Sequence, residues 1–141
     1  MASFNKFNAF VNNLCSLGFN MGSDTLKVML TNTAPVATNA LFGDLTEITA
    51  GNGYTAGGTA ASLTSSGQTS GTYKLVLANV VFTASGGSIG PFRYAVLYDS
   101  TTSSPLKPLI GWWDYGSSIS LNTGETFTVQ FDATNGVYQL A

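Results

Sequence analysis

The chain has 141 residues, which fits a single domain over residues 1–141, and only 9% of them are charged. The formal net charge is −2 and the five cations stand singly, so no basic surface for nucleic acid is expected. We also expect no membrane span and no signal peptide, and the single cysteine, Cys15, excludes an internal disulfide.

The first predicted element is a helix over about residues 3–17. Ser3 is a candidate N-cap, and Gly18 stands where a left-handed residue would end the helix. Between them, apolar residues recur at spacings of three and four: Phe4, Phe7, Phe10, Val11, Leu14 and Leu17. Cys15 falls within this pattern and is expected to be buried. The opposite face carries asparagines, including Asn13, and suits a helix laid across a sheet or a partner.

From Gly22 onward the hydrophobic pattern has a period of two. A short strand is predicted near Leu45, and the Gly/Ser/Thr-rich segment 51–71 is predicted to be a long loop or a flat edge hairpin. About seven or eight short strands are separated by turn clusters, and Asn135-Gly136 is a hairpin signal. The sequence therefore predicts a mainly β fold, an antiparallel β-sandwich or jelly roll with one N-terminal α-helix.

Two of the predicted strands are rich in aromatic residues. In GPFRYAVLYDS, residues 90–100, alternation places four large side chains on one face: Phe92, Tyr94, Val96 and Tyr98. We expect a facing sheet to cover them. In PLIGWWDYG, Trp113 and Tyr115 share one face while Trp112 lies on the other, so one tryptophan faces outward. Either the N-terminal helix or another subunit would cover it.

The last long strand, in GETFTVQFD, divides cleanly. Its apolar residues, Phe127, Val129 and Phe131, are predicted to face the core, while the polar residues between them face water.

The sequence offers few groups for catalysis. It contains no histidine, which excludes Ser-His-Asp and Cys-His arrangements and the imidazole ligands common at metal sites. Asp114, between two aromatic residues, is a candidate for a two-carboxylate site, but no partner is evident. A carboxylate at the end of a strand more often bonds to backbone donors.

The other acidic residues and the glycine-rich stretch are interpreted structurally. Asp44 with Glu47 is read as a pair of solvated loop charges, and Asp132 in DATNG lacks the further ligands of a calcium loop. GNGYTAGG lacks the context of a phosphate-binding loop and is interpreted as a flexible or tightly turning loop. We therefore expect no enzymatic activity, no metal and no cofactor.

Six stretches spread over nearly the whole chain resemble a group of small virion proteins of tailed bacteriophages and prophages. They are MASFNKFNAFV, TLKVMLTNTAPV, LTEITAGNGYTAGG, GPFRYAVLYD, PLIGWWDYGSSISL and GETFTVQFDATNGV. Some small β-rich proteins of phage virions act as capsid decoration, or cement, proteins. The resemblance thus implies a non-enzymatic structural protein, made in the bacterial cytoplasm, that binds the major capsid protein on the outside of the head, often as a trimer.

Two hypotheses for the contact surface follow. In the first, the capsid or trimer contact is formed by the N-terminal helix or by the aromatic face, with these candidate residues: Phe4, Phe7, Val11, Leu14, Trp112, Trp113 and Tyr115. In the alternative, the chain is a tail-tip or fibre-associated protein whose Trp112, Trp113 and Tyr115 stack on host-surface carbohydrate.

Overall fold

The computed structural model describes residues 2–16 and 19–141. Within these residues the chain forms one α-helix, α1 (Asn8–Ser16), a 3₁₀ turn at Phe42–Asp44 and ten strands. The strands are β1 (Asn5–Lys6), β2 (Leu26–Thr31), β3 (Thr59–Ala60), β4 (Leu63–Thr69), β5 (Thr72–Leu77), β6 (Val80–Thr83), β7 (Ile89–Asp99), β8 (Leu109–Leu121), β9 (Thr126–Val129) and β10 (Tyr138–Leu140). The predicted fold class is confirmed: the protein is mainly β with one N-terminal helix and is consistent with a β-sandwich.

All strand pairs are antiparallel, and they form three sheets in the described part of the chain. The central sheet has the order β1-β8-β7-β2-β3, the hairpin sheet has the order β10-β5-β4, and the short sheet pairs β6 with β9. The short sheet covers one face of the central sheet, because Phe127 of β9 packs on Phe92 of β7 with ring centroids 4.9 Å apart. Residues of all three sheets join one buried hydrophobic cluster.

Strands β2 and β7 form the centre of this core. They pair in continuous register from Leu26 opposite Asp99 to Thr31 opposite Tyr94. Successive residues are buried on both faces of both strands, and burying each large apolar side chain contributes about 1.5–3 kcal/mol. The chain that follows β2 covers the outer face, where Phe42 packs on Tyr98 with centroids 4.8 Å apart.

The prediction that Phe92, Tyr94, Val96 and Tyr98 share one face of β7 is wrong for Phe92. The pairing of β7 with β8 shifts register between Phe92 and Tyr94, whereas the pairing of β7 with β2 is continuous from Tyr94 to Asp99. Such bulges add a residue to one strand and turn side chains to the other face. Phe92 therefore packs on Phe127 of the short sheet, whereas Tyr98 packs on Phe42 of a loop.

The helix begins at Asn8 and not near Ser3, because residues 5–6 pair as β1 with the edge of β8. Two further backbone bonds hold the entry to the helix: Phe7 N–H donates to the Ile110 carbonyl at 3.2 Å, and Asn8 N–H donates to the Ala37 carbonyl at 2.8 Å. These contacts are distant in sequence, so the local helical pattern does not reveal them. The predicted helix end at Leu17 and Gly18 lies outside the described residues.

The helix also presents a different face to the core. Phe10 and Asn13 are buried, whereas Val11 is 46% exposed and Cys15 is exposed. The expectations of a buried thiol and a solvent-facing Asn13 are therefore wrong. Phe10 packs edge-on against Tyr138 at 5.2 Å, and Asn13, three residues along, shares its face.

Two turns differ from prediction. Near Leu45 the chain forms the 3₁₀ turn and no strand. Asn135-Gly136 does not close a hairpin, because β9 pairs with β6 while β10 pairs with β5. Asp132 instead accepts hydrogen bonds from the backbone of Thr134 and Asn135, and this turn carries the chain from one sheet to another.

The remaining strand predictions agree more closely with the structure. Segment 51–71 contains a tight glycine-rich loop, then β3 and the edge strand β4, so the edge-hairpin alternative is correct for its second half. PLIGWWDYG and SISL contribute to one strand, β8, in which Gly116 has a φ of 103° and lies where the pairing with β7 is irregular. The inward face predicted around β9 is confirmed, since Val129 and Phe131 are buried and Phe127 is half-buried.

Candidate functional site

The N-terminal segment contacts both tryptophans of β8. Phe7 packs on Trp112 with ring centroids 4.5 Å apart, and Phe4 packs on Trp113 at 5.4 Å. Both tryptophans are half-buried as a result. Of the two covers considered for the outward-facing tryptophan, the structure provides the chain's own N-terminus, through the residues just before α1.

Gly111 allows the N-terminal segment to lie this close to β8. A Cβ atom at position 111 would overlap the ring of Phe4 and would come within 2.8 Å of the Asn5 carbonyl oxygen. Phe7 and Phe10 are themselves 0% and 3% exposed. The segment is therefore part of the folded core, and Phe7, a candidate interface residue, is inaccessible to a partner in this conformation.

The other predicted interface residues are spread over the surface. Val11 is exposed on α1, and Leu14 lines a separate cavity together with Phe19 and Tyr73. Tyr115 is 54% exposed on β8. The structure thus pairs two phenylalanines with the two tryptophans and places Tyr115 beside Trp113.

A cleft of about 210 Å³ opens between Trp113 and Tyr115. Its floor is formed by Ala95 of β7 and Val129 of β9, which are buried, and Phe127 completes the wall. Ala95 lies directly opposite Trp113 in the pairing of β7 with β8. The small side chain at this register position leaves the space that the larger rings surround.

Contacts between aromatic rings hold the wall of the cleft. Tyr115 packs edge-on against Phe127 at 5.6 Å, and Phe127 packs edge-on against the fully buried Phe92 at 4.9 Å. On the other side, Trp113 packs on Phe131 at 5.5 Å. Each such pair contributes about 0.5–1.5 kcal/mol beyond its buried area, so the rings are anchored to the core.

The rim of the cleft carries polar groups. Arg93 Nε donates to Asp114 Oδ1 at 2.8 Å and Nη2 donates to Oδ2 at 2.9 Å, with both side chains over one-third exposed. The Arg93 guanidinium holds the pKa of Asp114 below its usual value, and the Gly116 N–H, which donates to Oδ1, lowers it further. Thr128 and Gln130 complete the rim.

Asp114, the carboxylate singled out from the sequence, is therefore engaged by Arg93 and a backbone donor. Six other carboxylates hold turns and loops by accepting hydrogen bonds: Asp24, Asp44, Glu47, Asp99, Glu125 and Asp132. In the described part of the chain, no group of three or more His, Cys, Asp or Glu residues is placed to hold a metal ion.

The glycine-rich stretch GNGYTAGG is a fixed loop. Glu47 Oε1 accepts from the Tyr54 hydroxyl at 2.7 Å and from Gly57 N–H at 2.6 Å, and Tyr54 itself is 3% exposed. Burial and the bond to Glu47 raise the pKa of Tyr54. Gly58 has a φ of 76°, and a Cβ there would overlap the Val28 carbonyl. These contacts confirm the tightly turning alternative.

A second feature of the surface is the edge of the hairpin sheet at β4. Its sequence, LTSSGQT, has no charge and no proline, and six of its seven residues are exposed. Among the described residues, no strand pairs with the outer side of β4. Natural proteins usually protect such edges with charges, prolines or a covering segment, and here the register shift between Leu63 and Ser65 is the protection that β4 has.

Sequence reasoning missed Arg93, Phe127 and Gln130 as members of the cleft. The sequence predicts that Phe127 faces the core and that Arg93, like the other four cations, stands singly. The signal that would have found the ion pair is the register, because Tyr94 lies opposite Asp114. A single sequence does not specify that register.

Comparisons with known proteins do not assign a family. No protein-family model, no curated protein and no solved structure matches the chain. None of the helices that the structure describes is both long enough and apolar enough to cross a membrane. The open β4 edge and the aromatic cleft are therefore the two surface features from which a role can be inferred.

Proposed function

We propose that this chain is a non-enzymatic structural protein of a tailed-bacteriophage virion. It acts as a capsid decoration protein, a homotrimer that binds the major capsid protein on the outside of the head and stabilises the shell. The observation that carries the proposal is the open, uncharged edge of β4, while the identity of the partner and the trimeric state follow from the resemblance of the sequence. The N-terminal segment is part of the fold in this proposal.

The β4 edge suits the addition of a strand from another protein. An edge strand of seven residues presents a row of unpaired N–H and C=O groups, which a partner strand satisfies by backbone hydrogen bonding. The serine, threonine and glycine side chains are small, and no charge opposes the approach of another chain. A protein that must remain monomeric and free would not be expected to keep such an edge bare.

The size of the accessible surface fits a domain that folds before it binds. The chain exposes 6989 Å², close to the value of about 6,900 Å² expected for a monomeric protein of its mass. Binding to a partner would therefore add contacts to a completed fold.

The acidic residues support a role without chemistry. All seven carboxylates accept hydrogen bonds that hold turns, a loop or the Arg93 pair. A catalytic acid or base needs a position from which it can exchange protons with a substrate. The bonds made here instead fix the local backbone.

The test is the number of copies of this protein in purified particles of the phage that encodes it, measured by quantitative mass spectrometry against the major capsid protein. We expect a number comparable with that of the major capsid protein. A handful of copies per particle would contradict the decoration role and point to the tail. Absence from the particle would overturn the virion proposal.

The follow-up uses particles that lack the protein, to which the purified full-length chain is added back. Truncation of the N-terminal segment is unsuitable as a test, because it removes Phe7 and Phe10 from the core. The substitution Ser65→Lys on β4 changes the proposed contact and leaves the core intact, because this side chain is exposed.

A further inference from the structure

From the aromatic cleft we infer a second, separate binding site, which takes one ring of a neutral carbohydrate. It does not depend on the β4 edge or on the capsid role. The cleft is bounded by Trp113, Tyr115 and Phe127, with Ala95 and Val129 beneath them and Arg93, which is paired with Asp114, at its rim.

The size of the cleft restricts the ligand. Pockets for drug-sized molecules range from about 300 to 1,000 Å³, and this cleft measures about 210 Å³. It therefore accommodates a single ring and leaves the rest of a longer molecule outside. A terminal residue of a glycan, or one residue along a chain, meets this limit.

The chemistry of the walls favours a sugar ring. The C–H face of a pyranose packs on aromatic rings, and Tyr115 offers 54% of its surface while its other contacts anchor it to Phe127. The hydroxyl groups around the sugar's edge need both donors and acceptors. At the rim, Arg93 provides donors, and the Thr128 hydroxyl and the Gln130 amide each provide a donor and an acceptor.

The charge of the cleft favours a neutral ligand. Arg93 is the cation at the rim, and Asp114 neutralises it through two hydrogen bonds. A phosphate or carboxylate ligand would have to compete with Asp114 for the guanidinium. An apolar side chain of a protein partner would offer no hydrogen bond to the Thr128 hydroxyl or the Gln130 amide at the rim, which costs binding free energy.

The test uses the full-length protein and two probes: a panel of neutral and acidic methyl glycosides, examined by saturation-transfer NMR and tryptophan fluorescence, and an array of bacterial surface polysaccharides. We expect about millimolar affinity for at least one neutral glycoside, as is typical for a ligand of one ring. The Tyr115→Ala variant should bind about tenfold more weakly. The control, Leu106→Ala, removes a side chain that is 60% exposed and does not line the cleft, and it should bind as wild type does.

Three results would overturn the inference. The first is that the wild-type protein binds no glycoside at about 10 mM and no polysaccharide on the array. The second is that Tyr115→Ala binds as well as wild type. The third is that Tyr115→Ala loses attachment to phage particles while glycan binding is unaffected, which would make the cleft a protein contact. The capsid role is tested by copy number, so its failure would be distinguishable from each of these.

Discussion

Two sheet edges of this protein differ in whether another part of the chain covers them. The edge of β8 is covered by the chain itself, because β1 pairs with Trp112 and Gly111 and carries Phe4 and Phe7 onto both tryptophans. Among the described residues, no strand pairs with the outer side of β4, and six of its seven residues are exposed. The covered edge borders the buried centre of the fold, whereas the bare edge belongs to a hairpin sheet at its periphery.

The covered edge of β8 contributes to the stability of the fold, whereas the open edge of β4 is available for interaction. Covering β8 buries large aromatic rings and contributes to the free energy of folding. Leaving β4 open contributes nothing to that free energy but keeps backbone groups free for another chain. Substitutions at the two edges should therefore have different effects, the first on unfolding and the second on binding.

The largest expected effect is that of Phe7→Ala, at the covered edge. Phe7 is fully buried against Trp112, so we expect the free energy of unfolding to fall by about 3–5 kcal/mol, measured by urea denaturation. The matched control on the same segment is Val11→Ala, whose side chain is 46% exposed, with an expected loss below about 1 kcal/mol. Equal losses in the two variants would contradict the assignment of Phe7 to the core.

The next effect is that of Gly111→Ala, which places a methyl group where the Phe4 ring lies. We expect a loss of about 1–3 kcal/mol and faster hydrogen exchange at the amide of Phe7, which bonds to Ile110. Gly43→Ala is the control, since a Cβ there meets no atom within 4 Å. Unchanged exchange at Phe7 in Gly111→Ala would show that the N-terminal segment tolerates displacement.

At the bare edge, Ser65→Lys should change stability by no more than about 0.5 kcal/mol, because the side chain is exposed. Its binding to particles that lack the protein should fall by at least about tenfold, since an edge lysine opposes strand addition. Thr49→Lys adds the same charge at another exposed position. If both variants bind like wild type in a co-sedimentation assay, β4 is not the contact.

The smallest expected effect is the change in stability at acidic pH that comes from the Arg93–Asp114 pair. Arg93 lowers the pKa of Asp114 in the folded state, so the pair stabilises the fold above the unfolded value of about 3.9 and loses that contribution as the pH falls through the lower, folded pKa. The difference in urea midpoint between wild type and Asp114→Asn should therefore shrink below about pH 4. Strand β4 has no ionisable side chain, so its own bonds to β5 should not follow this titration. A difference that is constant down to about pH 2.5 would contradict the account.

Patterns with a local cause could be predicted from the sequence, and patterns with a distant cause could not. The alternation of Phe127, Val129 and Phe131 with polar residues follows directly from the period of a half-buried strand, and it is confirmed. The start of α1 depends on β8, more than 100 residues away, and the helical period of the first 17 residues carries no sign of it.

The cleft was only partly predictable for the same reason. The sequence predicts that Trp113 and Tyr115 share a strand face and makes both of them candidate contact residues together with Trp112, but it does not say which tryptophan is buried. Ala95, Arg93 and Phe127 join them through the pairing of β7 with β8 and the packing of β9, which depend on bulges and on sheet order. The sequence makes Phe4 and Phe7 candidate contact residues, but it does not show that Phe4 packs on Trp113 and Phe7 on Trp112.

The Glu47–Tyr54 contact affects how readily a protease could cleave the glycine-rich loop. Four glycines in the eight residues of GNGYTAGG would ordinarily mark a cleavable segment. Here the Tyr54 hydroxyl accepts the Leu30 N–H of a core strand, and the Tyr98 hydroxyl donates to the Gly57 carbonyl. To enter a protease active site, this loop must first separate from β2 and β7, so we expect it to be cleaved only when the core opens.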